Sequence, residues 1–360
     1  MLLTISAAVF AAALQAVTPA AGMAQRDWVD EARPHLLDAG ASRPVHAVIW
    51  YPAADAPETI EIAAGPAQAP VFRFGHAAPG AEPAAGRHPL IVLSHGNGGA
   101  AMQMMWLGQK LAEAGYVVVA ANHHGNTATE PHLDLRAFAA PWERAIDVHY
   151  LIDAMLADPV FGSWIDPERI GVGGFSIGGF TALVAAGARP DFEAYATFCE
   201  SEARDGTCEP QIETPELRWR SDELQDDPVF AASQERLAAL DGDSRIDAVF
   251  TIAPALGHAF DQAGLAGLQV PLFVIVGDAD PATPAETNGL RIAELTEGAS
   301  FHLAEGGVSH YSFLAECGPT GLEQVPQYCG DAAGVDRAAI HAQTVALAVD
   351  FFDRYLAADR

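Results

Sequence analysis

The chain of 360 residues carries 19 Lys and Arg against 47 Asp and Glu, which gives a formal net charge of −28 at pH 7. This acid excess excludes a typical nucleic-acid-binding protein, which needs clustered basic side chains, and it disfavours docking on anionic lipid. Half of the residues are hydrophobic, which is enough for one large packed domain.

The first 24 residues are predicted to be a signal peptide. Residues 2–17 are almost wholly apolar, and Pro19 and small residues up to Ala24 follow them. This length suits the core of an export signal and is short for a membrane span. No Lys or Arg precedes the apolar run, so a buried N-terminal helix is the alternative. Export would place the protein in the periplasm or outside the cell, without stable membrane insertion.

Strand and helix patterns then alternate along the chain. The predicted strands are short apolar or β-branched runs at residues 45–51, 90–93, 116–121, 170–175, 249–252, 272–276 and 301–303. The predicted helices have apolar residues at helical spacing and cover residues 100–114, 141–156, 177–188, 286–295 and 337–356. Repeated strand–helix units predict an α/β fold with right-handed crossovers and a mostly parallel sheet covered by helices on both faces.

Two stretches depart from this alternation. Residues 190–245 are acidic and poor in aromatic residues, which favours an insertion over the sheet, a lid or cap, rather than an independent domain. The remainder of residues 25–360 is then one domain. Residues 63–86 are rich in Pro, Ala and Gly and are predicted to form a surface loop.

The four cysteines fall into two pairs that are close in sequence, Cys199 with Cys208 and Cys317 with Cys329. Neither pair has the two-residue spacing of a zinc knuckle. An even number of cysteines behind an export signal favours two disulfides. Four free thiols in a cytosolic enzyme are the alternative.

The strongest chemical signal is the sequence Gly-Phe-Ser-Ile-Gly that surrounds Ser176. It follows a predicted buried strand and opens a predicted helix, as a nucleophile elbow requires. Gly174 and Gly178 allow the tight turn that exposes the serine hydroxyl above the sheet. Ser176 is therefore the predicted nucleophile.

A serine nucleophile needs a base, and the base needs a group that orients it. His310 follows the strand predicted at 301–303, and Asp278 and Asp280 follow the strand predicted at 272–276. Ligands bind beyond the carboxyl ends of such strands. His310 is the predicted base and Asp280 the predicted acid, with Asp278 as the alternative.

Two backbone N–H groups are needed to stabilise the negative oxygen of the reaction intermediate. One is predicted to be the amide of Ile177, and the other the amide of Asn97, which lies between two glycines after an early strand. The possible pocket residues are His95, Met102, Trp106 and His123. Bracing of the loop is the favoured role for His95. The neighbouring His123 and His124 are weak evidence for a metal site, and none is predicted.

These motifs together resemble the α/β-hydrolase family. They are Ser94-His95-Gly96, residues 174–178, residues 277–280 and residues 306–310. Residues 43–44 leading to 50–52, and residues 123–126, are similar to the predicted dienelactone-hydrolase group, which is related to plasma-type platelet-activating-factor acetylhydrolases. The resemblance covers most of residues 43–356 outside the insertion. True dienelactone hydrolases have a cysteine nucleophile at the position of Ser176.

The resemblance implies hydrolysis of carboxylic esters, in particular esters with a short acyl group, without a cofactor. The predicted substrate is a small-molecule ester, and the net charge weakly disfavours anionic substrates. A lipase or peptidase with the same three residues, and a catalytically silent binding protein on the same scaffold, are the alternatives. The oligomeric state is left open.

Overall fold

The computed structural model describes residues 20–36, 38, 40–55, 57–215 and 218–357, without the side chains of residues 218, 219 and 221. The strands are β1 Ala21–Pro34, β2 Ser42–Pro52, β3 Ile60–Ala64, β4 Phe72–Pro79, β5 His88–Ser94, β6 Val117–Asn122, β7 Ile165–Phe175, β8 Ile246–Ile252, β9 Leu272–Gly277, β10 Ser300–Ala304 and β11 Glu316–Cys317. The helices are α1 Met105–Glu113, α2 Leu135–Ala139, α3 Glu143–Ala157, α4 Ile177–Ala185, α5 Phe192–Glu200, α6 Pro228–Ala238, α7 Gln262–Leu265, α8 Gly289–Leu295, α9 Pro319–Gln324, α10 Pro326–Cys329 and α11 Arg337–Tyr355.

The described strands form one sheet in the order β10-β9-β8-β7-β5-β6-β2-β1-β4-β11, with β3 paired to β4. The six strands from β5 to β10 are parallel to one another, whereas β2 is antiparallel to both β6 and β1. The carboxyl ends of the parallel strands therefore meet at one edge. The predicted α/β fold with a mostly parallel sheet is confirmed.

Helices cover both faces of the sheet. Leu151, Phe180 and Ile292 of α3, α4 and α8 are fully buried on one face, and Leu107 and Phe352 of α1 and α11 are buried on the other. Each such side chain contributes about 1.5–3 kcal/mol by leaving water. Because both faces are covered, the central strands are continuous apolar runs, and this made them recognisable in the sequence.

Of the N-terminal strands, β2 was predicted at residues 45–51, whereas β1, β3 and β4 were not. The sequence of β1 does not show the alternation of apolar and polar residues that marks a strand. Its charged Arg26 is partly buried and pairs with Asp158, whereas its apolar Val29 is exposed. The prediction that residues 63–86 form a loop is wrong, since β4 lies within them.

The predicted signal peptide falls mostly on residues 1–19, which lie outside the described residues. Residues 21–24 begin β1 and pair with residues 49–52 of β2, so cleavage after Ala24 would remove the start of a buried strand. In the part of the chain that the structure describes, no helix is both long and apolar enough to cross a bilayer.

The insertion at 190–245 contains α5 and α6 and lies over the carboxyl edge of the sheet. Asp205 accepts hydrogen bonds from Thr287 and Asn288 of the main domain, at 2.5 and 2.8 Å, so the insertion is attached to that edge. The structure contains both predicted disulfides, Cys199–Cys208 within the insertion and Cys317–Cys329 beside β11. In the chain-entropy model each stabilises the fold by up to about 3 kcal/mol.

A buried ionic cluster joins β1 and β2 to α3. The carboxylate of Asp147 accepts from Arg33 at 2.6 Å, from Arg43 at 2.8 Å through each of its oxygens, and from the ring of His123 at 2.8 Å. Burial alone would raise the pKa of Asp147, but the two guanidinium groups and His123 hold it well below its usual value. The carboxylate is thus ionised, and the guanidinium groups of Arg33 and Arg43 compensate its negative charge.

We expect Asp147→Asn to destabilise the fold by about 3–5 kcal/mol, because the buried Arg43 would lose its counter-charge and Arg33 would keep only Asp30 and Glu143. Asp153→Asn is the matched control on the same helix, since Asp153 is largely exposed and pairs with Arg245 at the surface. That change should cost less than about 1 kcal/mol. Urea unfolding of both variants measures the difference, and equal losses would contradict this role for Asp147.

Candidate active site

Ser176 occupies a sharp turn between β7 and α4. Its backbone has φ 59° and ψ −122°, a conformation that non-glycine residues rarely adopt. A Cβ on Gly174 would overlap the carbonyl group of Gly178, and a Cβ on Gly178 would overlap the carbonyl group of Ser94. The two glycines are therefore required by the close approach of α4 to the strands, as the sequence motif predicts.

Ser176, His310 and Asp280 are hydrogen-bonded in a row. His310 Nε2 lies 2.9 Å from Ser176 Oγ, and His310 Nδ1 lies 2.7 Å from Asp280 Oδ2. The three side chains come from the ends of β7, β10 and β9, which are brought together by the parallel sheet. All three are buried, with 9% of Ser176 exposed. The arrangement has the geometry in which a histidine can take the proton of a serine.

Thr283 completes the surroundings of the carboxylate. Its hydroxyl donates to Asp280 Oδ2 at 2.8 Å, and the amides of Ala282 and Thr283 donate to Oδ1 at 2.9 and 2.8 Å. Burial would raise the pKa of Asp280, but His310 and these donors bring it below its usual value. An ionised Asp280 accepts a hydrogen bond from the Nδ1–H group of His310 and leaves Nε2 free to accept from the serine hydroxyl. Sequence reasoning missed Thr283, although an Asp followed three residues later by a Thr is a common turn pattern.

Asp278, the alternative acid, has a different place. Its carboxylate accepts from the amides of Gly306, Gly307 and Val308 at 2.8–2.9 Å. Those donors hold its pKa below its usual value although burial opposes them. Asp278 therefore fixes the loop that leads to His310, and it is Asp280 that contacts the imidazole.

The residues that carry the two predicted oxyanion donors, Ile177 and Asn97, line one cavity together with Ser176. The amide of Ile177 is at the first position of α4, where a helix leaves its N–H groups without internal partners. Neither this amide nor that of Asn97 donates to another residue within the described chain. The Asn97 side chain donates to Thr214 of the insertion and accepts from Asn126, both at 3.0 Å. The loop that carries Asn97 is thus held in place by its own side chain.

A buried cation lies behind this loop. Arg144 donates to the carbonyl oxygen of His95, and its Nε and Nη1 atoms have no protein partner. Burial lowers the pKa of Arg144 to about 9. Burial and Arg144 lower the pKa of His95 well below its usual value and that of His123 to about 3, despite the opposing effect of Asp147 on both. Both histidines are therefore neutral and structural.

Two cavities meet at Ser176, Asn97 and Gln211. The apolar cavity, of about 210 Å³, is lined mainly by apolar side chains of α2, α5 and the turn after β8, among them Phe138, Ala139, Phe192 and Leu256. The polar cavity, of about 270 Å³, is lined on its far side by Phe72, Gln103, Glu213, Tyr311 and Tyr328, and by His310. The insertion contributes residues to both cavities.

The predicted pocket residues lie elsewhere. None of His95, Met102, Trp106 and His123 lines either cavity. Met102 packs against the core on the α1 side, and Trp106 stacks on His341 with ring centres 4.0 Å apart. The pocket prediction is therefore wrong for these four residues, because Met102 and Trp106 pack into the core and His95 and His123 bond to the buried Arg144 and Asp147. Among the described residues, no group of three or more His, Cys, Asp or Glu side chains is arranged to hold a metal ion.

Comparisons with known proteins agree with this geometry. A family model described as PET hydrolase-like matches residues 80–218, which include the Asn97 loop and Ser176. A solved structure of a ferulic acid esterase from Streptomyces cinnamoneus matches 96% of this chain and 92% of its own, with a TM-score of 0.62 and 22% identity. The chain has the α/β-hydrolase fold.

Curated relatives match a shorter stretch of this α/β-hydrolase chain. Lipase 1 of Moraxella sp. (strain TA144) is 35% identical over 89 residues, which is 25% of this chain and 24% of the lipase. Cutinase est2 of Thermobifida alba is 34% identical over 106 residues, which is 29% of this chain and 32% of the cutinase. The chain thus matches about a quarter to a third of the length of these relatives. The narrower dienelactone-hydrolase resemblance stays a prediction.

We expect Asp280→Asn to slow the reaction of Ser176 with a fluorophosphonate probe by about 10³-fold or more, because the imidazole loses the acceptor that fixes its tautomer. Asp278→Asn should slow it by less than about tenfold, since it only loosens the loop before His310. The labelling rate measures both. A larger effect of Asp278→Asn would reassign the acid.

Proposed function

We propose that the protein is a serine hydrolase that cleaves carboxylic esters. The observation that carries this proposal is the row of hydrogen bonds from Ser176 through His310 to Asp280 at 2.9 and 2.7 Å, beside two unpaired amides. Names of the similar proteins, a lipase, a cutinase and a ferulic acid esterase, support esters rather than peptides as substrates.

The proposed reaction has two halves. Ser176 Oγ attacks the ester carbonyl carbon while His310 Nε2 takes the serine proton, and the carbonyl oxygen becomes negative between the amides of Ile177 and Asn97. The C–O bond to the alcohol breaks as His310 returns the proton to the leaving oxygen. Water, deprotonated by the same histidine, then attacks the acyl-serine, and Ser176 leaves with the proton. Water is the only co-reactant.

The same reaction assigns the two cavities. The leaving oxygen must lie within reach of His310 Nε2, and His310 lines the polar cavity but not the apolar one. The alcohol part of the substrate therefore occupies the polar cavity, and the acyl part occupies the apolar cavity. Each methylene group buried in the apolar cavity would contribute about 0.8 kcal/mol to binding, so acyl groups longer than acetyl are favoured.

We further propose that the protein acts outside the cytoplasm. Two disulfides support this, since such bonds form and persist in oxidising compartments. The apolar N-terminal stretch supports it as well.

Ser176→Ala is the direct test of the proposed function. The variant should lose fluorophosphonate labelling and at least about 10³-fold in the hydrolysis of p-nitrophenyl esters, because no other group can form the acyl-enzyme. Ser163→Ala, at an exposed serine, is the control and should keep both activities. Undiminished labelling of a folded Ser176→Ala variant would mean that the nucleophile is another residue.

The acyl assignment predicts chain-length selectivity. We expect kcat/KM for p-nitrophenyl butanoate to exceed that for the acetate by roughly tenfold. Ala139→Phe, which fills the apolar cavity from its wall, should lower the butanoate-to-acetate ratio severalfold. Tyr328→Ala, on the polar cavity, should leave this ratio unchanged. A ratio that responds to Tyr328→Ala and not to Ala139→Phe would exchange the two assignments.

A further inference from the structure

Among the described side chains, Glu213 is the carboxylate that lines the polar cavity, and no Arg or Lys side chain lines that cavity with it. Glu213, from the insertion, lies over the Asn97 loop, and a Cβ on Gly98 would lie 3.1 Å from the Cβ of Glu213. One of its oxygens accepts from the hydroxyl group of Tyr311 at 2.8 Å. Among the described residues, no Arg or Lys lines this cavity and none is paired with Glu213. The net charge of Glu213 is thus directed at whatever occupies the cavity.

Aromatic rings form the walls around this carboxylate. Tyr311 and Tyr328 meet edge to face with ring centres 5.1 Å apart, and Phe72 lines the same cavity. Burial and Glu213 raise the pKa of Tyr311 above its usual value and that of Tyr328 to about 12. Both phenols are therefore neutral near pH 7, and they add ring faces and hydroxyl groups without adding charge.

A carboxylate among aromatic rings is the combination that binds ammonium groups. The ring faces attract a cation through their quadrupole, and the carboxylate adds a direct charge interaction in a partly desolvated site. A net charge of −28 also concentrates cations near the protein surface. An anionic alcohol would meet Glu213 with repulsion on both counts.

The buried cation of the site lies on the other side of the cleft. Arg144 lines the apolar cavity and not the polar one, so it is not the counter-charge of Glu213. The polar cavity is therefore lined by a negatively charged side chain, Glu213, whereas the apolar cavity is lined by a positively charged one, Arg144. This difference distinguishes the acyl side from the alcohol side by charge as well as by polarity.

We propose that the polar cavity recognises the alcohol part of the substrate as a cation, an amino alcohol or a quaternary ammonium alcohol, through Glu213, Tyr311 and Tyr328. This inference rests on the proposed function, since it assigns the cavity lined by His310 to the leaving alcohol. The chemistry is unchanged: the ester bond breaks, the alcohol oxygen receives its proton from His310, and the positive group stays intact.

The test uses two esters that differ only in charge. Butanoylcholine and 3,3-dimethylbutyl butanoate share an acyl group and have leaving alcohols of nearly the same shape, with nitrogen replaced by carbon. The wild-type protein should have a kcat/KM ratio of about 10 in favour of butanoylcholine, the effect of one such contact of about 1.4 kcal/mol. In Glu213→Gln, which can still accept from Tyr311, this ratio should fall towards 1.

Glu209→Gln is the matched control. Glu209 is an exposed acid of the same insertion that pairs with Arg204, and it lines neither cavity. This variant loses the same unit of charge and should keep the ratio of the wild-type protein. A ratio that falls equally in both variants would show that general attraction by the net charge selects the cation, and it would overturn the role of Glu213.

Other outcomes also decide the question. A wild-type ratio near 1, or a higher kcat/KM for a neutral glucose 6-butanoate than for butanoylcholine, would overturn the proposal while leaving the esterase function intact. Hydrolysis of p-nitrophenyl butanoate serves as the reference for that function. If none of the esters is cleaved by the folded protein, the proposed function itself fails, and the two failures are thereby distinguished.

Discussion

The left-handed turn at Ser176 is the constraint on which the rest of the site depends. A non-glycine residue at φ 59° costs of the order of 1–3 kcal/mol, so its surroundings must hold it there. The Ser176 amide donates to the carbonyl of Ile252 at 2.9 Å, and its carbonyl accepts from Gly179 and Ala255 at 2.9 and 3.1 Å. These partners belong to β8, the turn after it and α4, at the buried centre of the fold. They hold Ser176 in its strained conformation, so its hydroxyl group needs no further reorganisation before it reacts.

The second half of the site depends on buried charge rather than on strain. Arg144 holds the carbonyl of His95, His95 accepts from the amide of His123 at 3.2 Å, and His123 is bonded to Asp147. Removing any one of these groups would leave another polar group unpaired in the interior, which is costly. The loop that carries Asn97 is therefore fixed from behind by the same cluster that joins β1 and β2 to α3. The same buried cluster therefore stabilises the N-terminal strands and positions Asn97, the proposed oxyanion donor.

Whether a feature of the fold or the site could be predicted from the sequence depends on how far apart in the chain the interacting residues lie. The glycines around Ser176 and the buried parallel strands are local signals, and the structure contains the turn and the sheet that they predict. The structure places His310 within hydrogen-bond distance of Ser176. Asp278 and Asp280 lie in one turn. Which of them contacts His310 depends on the path of the loop before His310, and a local sequence pattern does not determine that path. Trp106 was placed near a pocket by its sequence position, but α1 directs it towards His341. No local sequence pattern marks Glu213 or Arg144, because their partners Tyr311 and His95 lie 98 and 49 positions away in the chain.

The distribution of charge across the cleft agrees with the charges that the proposed reaction creates. During attack, a negative oxygen forms beside Asn97 and a positive imidazolium forms at His310. Arg144 lies behind the Asn97 loop, whereas Asp280 and Glu213 lie on the His310 side. Each new charge therefore lies on the side of a fixed charge of opposite sign, at buried side chains where such interactions are strong. A cationic alcohol beside Glu213 would shield that carboxylate from the imidazolium until the alcohol leaves, and the negative charge of Glu213 would then act on the cavity that His310 lines during hydrolysis of the acyl-serine.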